Sequence, residues 1–308
     1  MSVNKKKKIM IIVVIAAVTV FAVSALAAGL NLSGYERLKA AGFRFAEEFS
    51  KDYGAYSNGT FYINSVFFVD GVEHSRNDQI IMSDGDRNLT FNYSYDSISV
   101  YNGIPLEKDA VERTTVMYAD KDITYMWHNG DHFFESAKTG YNTRSYVNDD
   151  LGMPAQRRFI EAVADALIGE TRNFFINDGN FVSISLSGNQ IPEIAQYAIA
   201  AFAESESYYS YDDEEAIFGP DARFSKGSLE VELNDDELVT GAKVSIEVLS
   251  TVNGAPREYR VEITYRSKNI GTTVIDKPDG NKNGAPAFPA YDDDGPLGAA
   301  YVSGADVS

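Results

Sequence analysis

The chain contains no cysteine. That excludes a disulfide framework, thiol redox chemistry, a zinc-thiolate site, a cysteine nucleophile and a lipid-modified cysteine anchor. Tryptophan occurs once and histidine three times in 308 residues. Positive charge is scarce, with 27 Lys and Arg against 45 Asp and Glu, a net of -18. So acidic a surface repels phosphate backbones and excludes nucleic acid as a partner. The sequence also lacks a G-x-S-x-G elbow, an H-E-x-x-H helix, a Walker loop, a dinucleotide fingerprint and a solenoid repeat. No catalytic residue, metal-ligand set or cofactor site is assigned.

The basic residues are also unevenly placed. Lys5, Lys6, Lys7 and Lys8 precede residues 9–30, which carry no charge. As a helix those 22 residues span roughly 33 Å, enough for a bilayer core. The lysines hold residues 1–8 in the cytoplasm and send the rest of the chain outside. Two readings fit the segment: a retained single-pass signal anchor, which is taken here, or a signal peptide cleaved after Ala25-Leu26-Ala27. Both place the body on the extracytoplasmic side of the cell membrane. Without the four lysines, 23 basic residues face 45 acidic ones. A body so charged stands off anionic headgroups.

Ser33 through Glu36 fits a capping box opening a helix over 34–53. Tyr35, Leu38, Ala41, Phe45 and Phe49 form its apolar stripe, widened by Ala46. From residue 59 the apolar period becomes two. Strands are expected over 60–69, 79–82, 89–95, 114–118, 123–127 and 132–135. Asp70-Gly71, Asp84-Gly85, Asn102-Gly103 and Asn129-Gly130 mark the turns between them. The helical period returns at Pro154, with Phe159, Val163, Ala166 and Leu167 on one face. A strand over 181–188, a helix opening near Pro192 and an acidic, Tyr-rich loop over 207–215 follow. Alternating strands over 229–233, 244–248 and 259–265 close the body. Residues 277–308, rich in Gly, Pro, Asp and Ala, read as a disordered tail. The expected architecture is α+β, a curved antiparallel sheet or half-barrel packed on helices. One extracytoplasmic domain covers 31–276.

Three stretches carry a family resemblance: Ser33-Gly-Tyr-Glu-Arg-Leu-Lys39, Ser183-Ile-Ser-Leu-Ser-Gly-Asn-Gln-Ile-Pro-Glu193 and Asn269-Ile-Gly-Thr-Thr273. In these the chain resembles uncharacterised, membrane-anchored exported proteins of anaerobic Gram-positive bacteria, across roughly residues 33–279. More distantly it resembles the LolA and LppX kind of lipoprotein carrier. That resemblance implies a half-closed barrel cupping helices, with a cup for acyl chains, and a related sensing role in anti-sigma systems. It assigns no residue, and the chain lacks the lipobox cysteine.

The candidate sites are few. His128-Asn-Gly-Asp-His132 has the spacing of a helical metal pair, but Asn-Gly is a hairpin turn. A two-residue turn pairs His128 with Asp131 and Trp127 with His132, sending the two histidines to opposite faces. That register puts Tyr125, Trp127, His132 and Phe134 on one face, as core wall or as the lining of a ligand cleft. Asp279, Asn281, Asn283 and Gly284 match the start of an EF-hand loop, but position 12 is Ala290, so no calcium site is assigned. Sequons at Asn31, Asn58, Asn88 and Asn92 occur at chance frequency.

Three functions remain open at this point. The first is a non-enzymatic, membrane-tethered binding module for an amphiphile or acyl chain. The second is a sensor or interaction protein of an envelope regulatory system, using its acidic surface on a protein partner. The third is a wall-active hydrolase with a carboxylate pair.

Overall fold

A computed structural model of the chain describes residues 34–50, 54–101, 104–130, 132–137, 171, 174–193, 195–197, 199–200, 218–252 and 254–289. The proposed membrane segment, the helix expected after Pro154 and the acidic loop over 207–215 lie outside them. Among the described residues no helix is long and apolar enough to cross a membrane.

The described chain is nearly all sheet. Helix α1 (Gly34–Ser50) is followed by β1 (Asn58–Val69), β2 (Val72–Asp84), β3 (Asn88–Tyr101), β4 (Ile104–Ala119), β5 (Ile123–His128) and β6 (His132–Ala137). Then come β7 (Ile176–Asp178), β8 (Phe181–Ser187), β9 (Arg223–Leu233), β10 (Val239–Val252) and β11 (Ala255–Lys268), with helical turns within 193–200 between β8 and β9. All eleven strands join one antiparallel sheet in the order β6-β5-β4-β3-β2-β1-β11-β10-β9-β8-β7. The sheet is open, so the expected α+β half-barrel wrapped on helices is overturned. The strands run longer than apolar alternation alone indicates. Polar residues with no apolar alternation, such as Ser75 to Asp78 of β2, are laddered to β1.

The topology is two meanders joined at one seam. The first runs outward from β1 to β6, and the second runs inward from β7 to β11. The pairing of β1 with β11 welds them, from Thr60 opposite Lys268 to Val69 opposite Tyr259. Turn chemistry sets the hairpins. Asp70 and Gly71 both take positive φ, 51° and 81°, as a two-residue hairpin requires. The outer strands β6 and β7 have six and three residues, and short edges offer little template for pairing with other chains.

The two meanders bury opposite faces. Val182, Val231, Ala242, Tyr265, Ile63, Gln79, Asn92, Thr115, His128 and His132 form one lateral row from β8 to β6. It begins apolar and ends polar. The neighbouring row on the other face runs Phe181, Glu232, Gly241, Arg266, Tyr62, Ile80, Phe91, Val116, Trp127 and Phe133, and turns from polar to apolar at the seam. On the first face, Leu38 and Ala41 of α1 pack with Val182, Ile184, Val231, Leu233, Val244 and Ile246. On the second, Ile80, Leu89, Phe91, Val116, Tyr118, Tyr125 and Trp127 pack with Ile275. Strand β1 is covered on both sides: Phe61 and Val69 are buried on one face, Thr60, Asn64 and Val66 on the other.

The first turns of the α1 stripe are core, as the spacing suggests, whereas Ala46, expected to widen it, is exposed. Tyr35, Leu38 and Ala41 are buried, and the Phe45 ring stands 4.8 Å from Tyr56 and 5.5 Å from Tyr265. The Arg37 guanidinium ties the start of the helix to two hairpin tips. It pairs with Glu237 at 2.9 Å and donates to Asn177 Oδ1 at 2.7 Å.

Leu233 is 1% exposed and Val72 is 58% exposed. Leu233→Ala is expected to cost about 2–5 kcal/mol in urea-denaturation stability through lost transfer energy and a cavity. Val72→Ala is expected to stay within about 0.5 kcal/mol of wild type. Equal losses at the two positions would contradict the assignment of Leu233 to the core under α1.

Candidate functional site

The site is the aromatic face of β3 to β6. Trp127, 2% exposed, lies at its centre. Its ring is 5.9 Å from Tyr125 and 5.5 Å from Phe133, both tilted rather than stacked face to face. Tyr118 stacks on Tyr125 at 6.0 Å. Such offset and edge contacts suit the quadrupoles of the rings. Period-two alternation places these side chains on one face, because Phe91, Val116, Trp127 and Phe133 are direct ladder partners.

This corrects the sequence-level register. The loop between β5 and β6 holds three residues, not two, so His128 pairs with His132 and Trp127 with Phe133. Asn129 and Gly130 do take positive φ, but Asn129 is drawn to β4. Its N–H donates to Thr114 O at 2.8 Å, and its Oδ1 accepts from Thr114 N at 2.9 Å. A one-residue slip moves every β6 side chain to the other face. Tyr125 and Trp127 therefore stay together, while His132 and Phe134 leave them for the opposite face, where Phe134 is 60% exposed. Phe133 takes their place. The two histidines share a face, and His128 Nδ1 lies 3.0 Å from Thr115 Oγ1. Among the described residues no three His, Asp or Glu side chains converge as a metal site.

The chain covers this face with its own C-terminal segment. Composition assigns residues 277–289 to a tail, yet they lie over the aromatic rings, leading on from a fixed anchor at 273–275. Thr273 N donates to Asn58 Oδ1 at 2.8 Å, and Asn58 Nδ2 donates to Thr273 O at 3.0 Å. Ile275, 1% exposed, completes the core. The Lys277 ammonium reaches Asp120 at 3.1 Å and stands 5.8 Å from the Tyr125 ring centre. Trp127 Nε1–H donates to Asn281 O at 2.9 Å. Gly280 lies so close to Tyr125 that a Cβ there would come within 2.5 Å of the ring. The Phe288 ring ends the contact, 5.1 Å from Phe91.

Asp120 is the polar anchor. Burial pushes its carboxyl up, but four donors outweigh that and hold it well below the usual carboxylate range. They are the N–H groups of Asp122 and Ile123, the Lys277 ammonium and the Tyr118 hydroxyl. Tyr118 is in turn pushed up to about 12 by burial and by that carboxylate.

Nearer the seam the same face turns polar. Asn64 Nδ2 donates to the buried Asp78 Oδ1 at 2.5 Å, and burial raises the Asp78 carboxyl. Arg76 forms a two-pronged pair with Glu73 at 2.8 and 2.7 Å. On β9 to β11, Lys226 pairs with Glu247 at 2.9 Å, Arg260 with Glu262 at 3.2 Å, and Glu230 lies opposite Lys243. This surface carries both signs of charge.

Phe91, Tyr118, Asp120, Phe133 and the covering segment were not singled out from sequence. One signal was available: Ile275 and the isolated Phe288 are apolar anchors beside and inside a Gly- and Pro-rich stretch.

No protein-family model matches the chain, and no curated protein matches it. Among solved structures it has weak likenesses. A porin-like protein from Bacteroides uniformis is 7% identical, over 68% of this chain and 96% of that one, with a TM-score of 0.13. MucB in complex with MucA(peri) is 10% identical, over 75% and 96%, with a TM-score of 0.10. Cleaved kallistatin complexed with heparin is 12% identical, over 61% and 55%, with a TM-score of 0.10. These scores are too low to carry a fold or a function across.

Trp127→Ala is expected to cost about 3–5 kcal/mol, measured by thermal or urea unfolding; an unchanged melting temperature would contradict the aromatic core. Asp120→Asn is expected to lower stability at neutral pH. Because the folded carboxyl lies below its unfolded value, its contribution is complete above the unfolded value. It is lost as the pH falls toward the folded one. The gap between Asp120→Asn and wild type should therefore close as the pH is lowered through the carboxylate range. A gap independent of pH would remove the ionised carboxylate from the argument.

Proposed function

We propose that the chain is a non-enzymatic interaction module, held at the outer side of the cell membrane by residues 9–30, which recognises a protein partner. One observation carries this reading. The aromatic face of β3 to β6 is occupied by an irregular protein segment outside the ladder, held by an indole hydrogen bond, an ion pair and ring contacts. Tryptophan and tyrosine in such a patch supply contact area with few rotatable bonds to freeze. The acyl-chain reading needs a half-barrel with a cup, and the open sheet removes that support. The mixed charges of β9 to β11 also move the partner-facing role away from a uniformly acidic surface and onto the aromatic face.

A photo-crosslinking amino acid at position 133, in the full-length chain at the membrane of living cells, tests the proposal. The expected result is a discrete adduct with another polypeptide that is absent when the probe replaces Val72. It should strengthen when residues 277–308 are removed. Adducts of lipid mass at position 133, with no polypeptide adduct, would return the protein to the amphiphile-binding reading and overturn this one.

A further inference from the structure

The covering segment is seated differently from the strands around it. It adds no strand to the edge of the sheet. Its own backbone bonds are local, from Asn281 N to Asp279 O and from Gly284 N to Asn281 O. An Asx turn reinforces them, with Asn283 N donating to Asn281 Oδ1 at 2.9 Å. What holds it to the face is short and chemically specific. An acid, Asp120, takes a cation. An indole N–H takes a backbone carbonyl. The Tyr125 ring admits a residue without a Cβ. Phe91 takes an aromatic side chain. Cation, glycine, backbone carbonyl and ring, in that order along one short irregular segment, describe a peptide ligand.

We infer that the aromatic face of β3 to β6 is a peptide-recognition groove, and that residues 277–288 are its built-in competitor. They hold the place of a partner segment with the same order of groups. The inference rests on the binding reading above and names its ligand class. Occupation in cis makes the groove self-silenced. A partner gains access when residues 277–288 lift away, while the anchor at Thr273 and Ile275 stays paired with Asn58 and buried in the core.

The single tryptophan lies beneath the segment and reports its position. The full chain, and a chain ending at Asp276, would be purified in maltoside micelles and titrated with acrylamide. Truncation is expected to raise quenching of Trp127 severalfold with the sheet signal in circular dichroism retained. A synthetic peptide of residues 277–289 should then restore protection in a saturable way. The peptide carrying Gly280→Leu should not, and the peptide carrying Lys277→Ala should bind severalfold more weakly. Unchanged quenching on truncation would overturn the inference, as would equal behaviour of the wild-type and Gly280→Leu peptides. If the truncated chain loses its sheet signal, the full chain carrying Gly280→Leu decides. A folded protein with exposed Trp127 supports a displaceable segment. A folded protein with protected Trp127, or an unfolded one, shows that residues 277–288 are core rather than competitor. Rebinding of the peptide in trans with no cellular adduct at position 133 would preserve the groove and remove the partner.

Discussion

The structure depends on β1 being covered on both faces. A strand has only two faces, and in most antiparallel sheets water takes one of them. Here Phe61 and Val69 are buried on one face while Thr60, Asn64 and Val66 are buried on the other. Each meander is amphipathic by itself, and each has its apolar face on a different side. Joining them through β1 and β11 produces one continuous ladder, but no single layer can cover both halves. The second meander is covered by α1. The first uses Ile275 and the segment that follows it. A helix and an irregular strap on opposite sides follow from one change of phase at one strand.

That change of phase also accounts for the polar residues at the seam. Where the apolar row ends, side chains near the boundary lose water before they gain an apolar neighbour. Asn64 and Asp78 meet there, and each supplies the other's hydrogen bond. Thr60 and Thr273 do the same at 3.2 Å. Buried groups so paired cost far less than unpaired ones. They also fix position. Asn58 and Thr273 exchange two hydrogen bonds where the chain leaves β11 for the other face. The crossing segment thus starts from a rigid point, whatever its later residues do.

Much of this was legible in the residues, and the failures have physical causes. Asp70-Gly71 and the α1 stripe gave the correct local structure because both signals are local: a positive φ and a spacing of 3.6. Alternation found every strand except β7, though shorter than they are, since Glu73 to Asp78 contains nothing apolar to alternate. The aromatic face was half legible. Tyr125 and Trp127 were placed correctly. His132 and Phe134 were placed across the sheet from their true positions, because one asparagine prefers a side-chain bond to Thr114 over a two-residue turn. The α+β expectation failed at a higher level. Alternation shows which residues share a face, but not that two meanders present opposite faces, since that information lies in the pairing of residues 200 apart. The covering segment was hidden by composition. Gly, Pro and Asp are scarce in cores, but a segment lying against tyrosine rings needs glycine for close approach, not for flexibility.

A segment attached to its own groove competes at a concentration set by its tether. For short linkers that effective concentration is on the order of millimolar. A partner present at about micromolar concentration must then bind about a thousandfold more tightly than the strap to fill half the grooves, a difference of about 4 kcal/mol. The strap's own contacts make that margin attainable. They include one neutral hydrogen bond, an ion pair whose lysine is half exposed, and one partly buried ring. Exposed pairs contribute little, and a single net hydrogen bond adds only about 1 kcal/mol. A ligand that kept the same contacts and extended them along the edge strand β6 would add backbone ladder bonds that the strap leaves unmade.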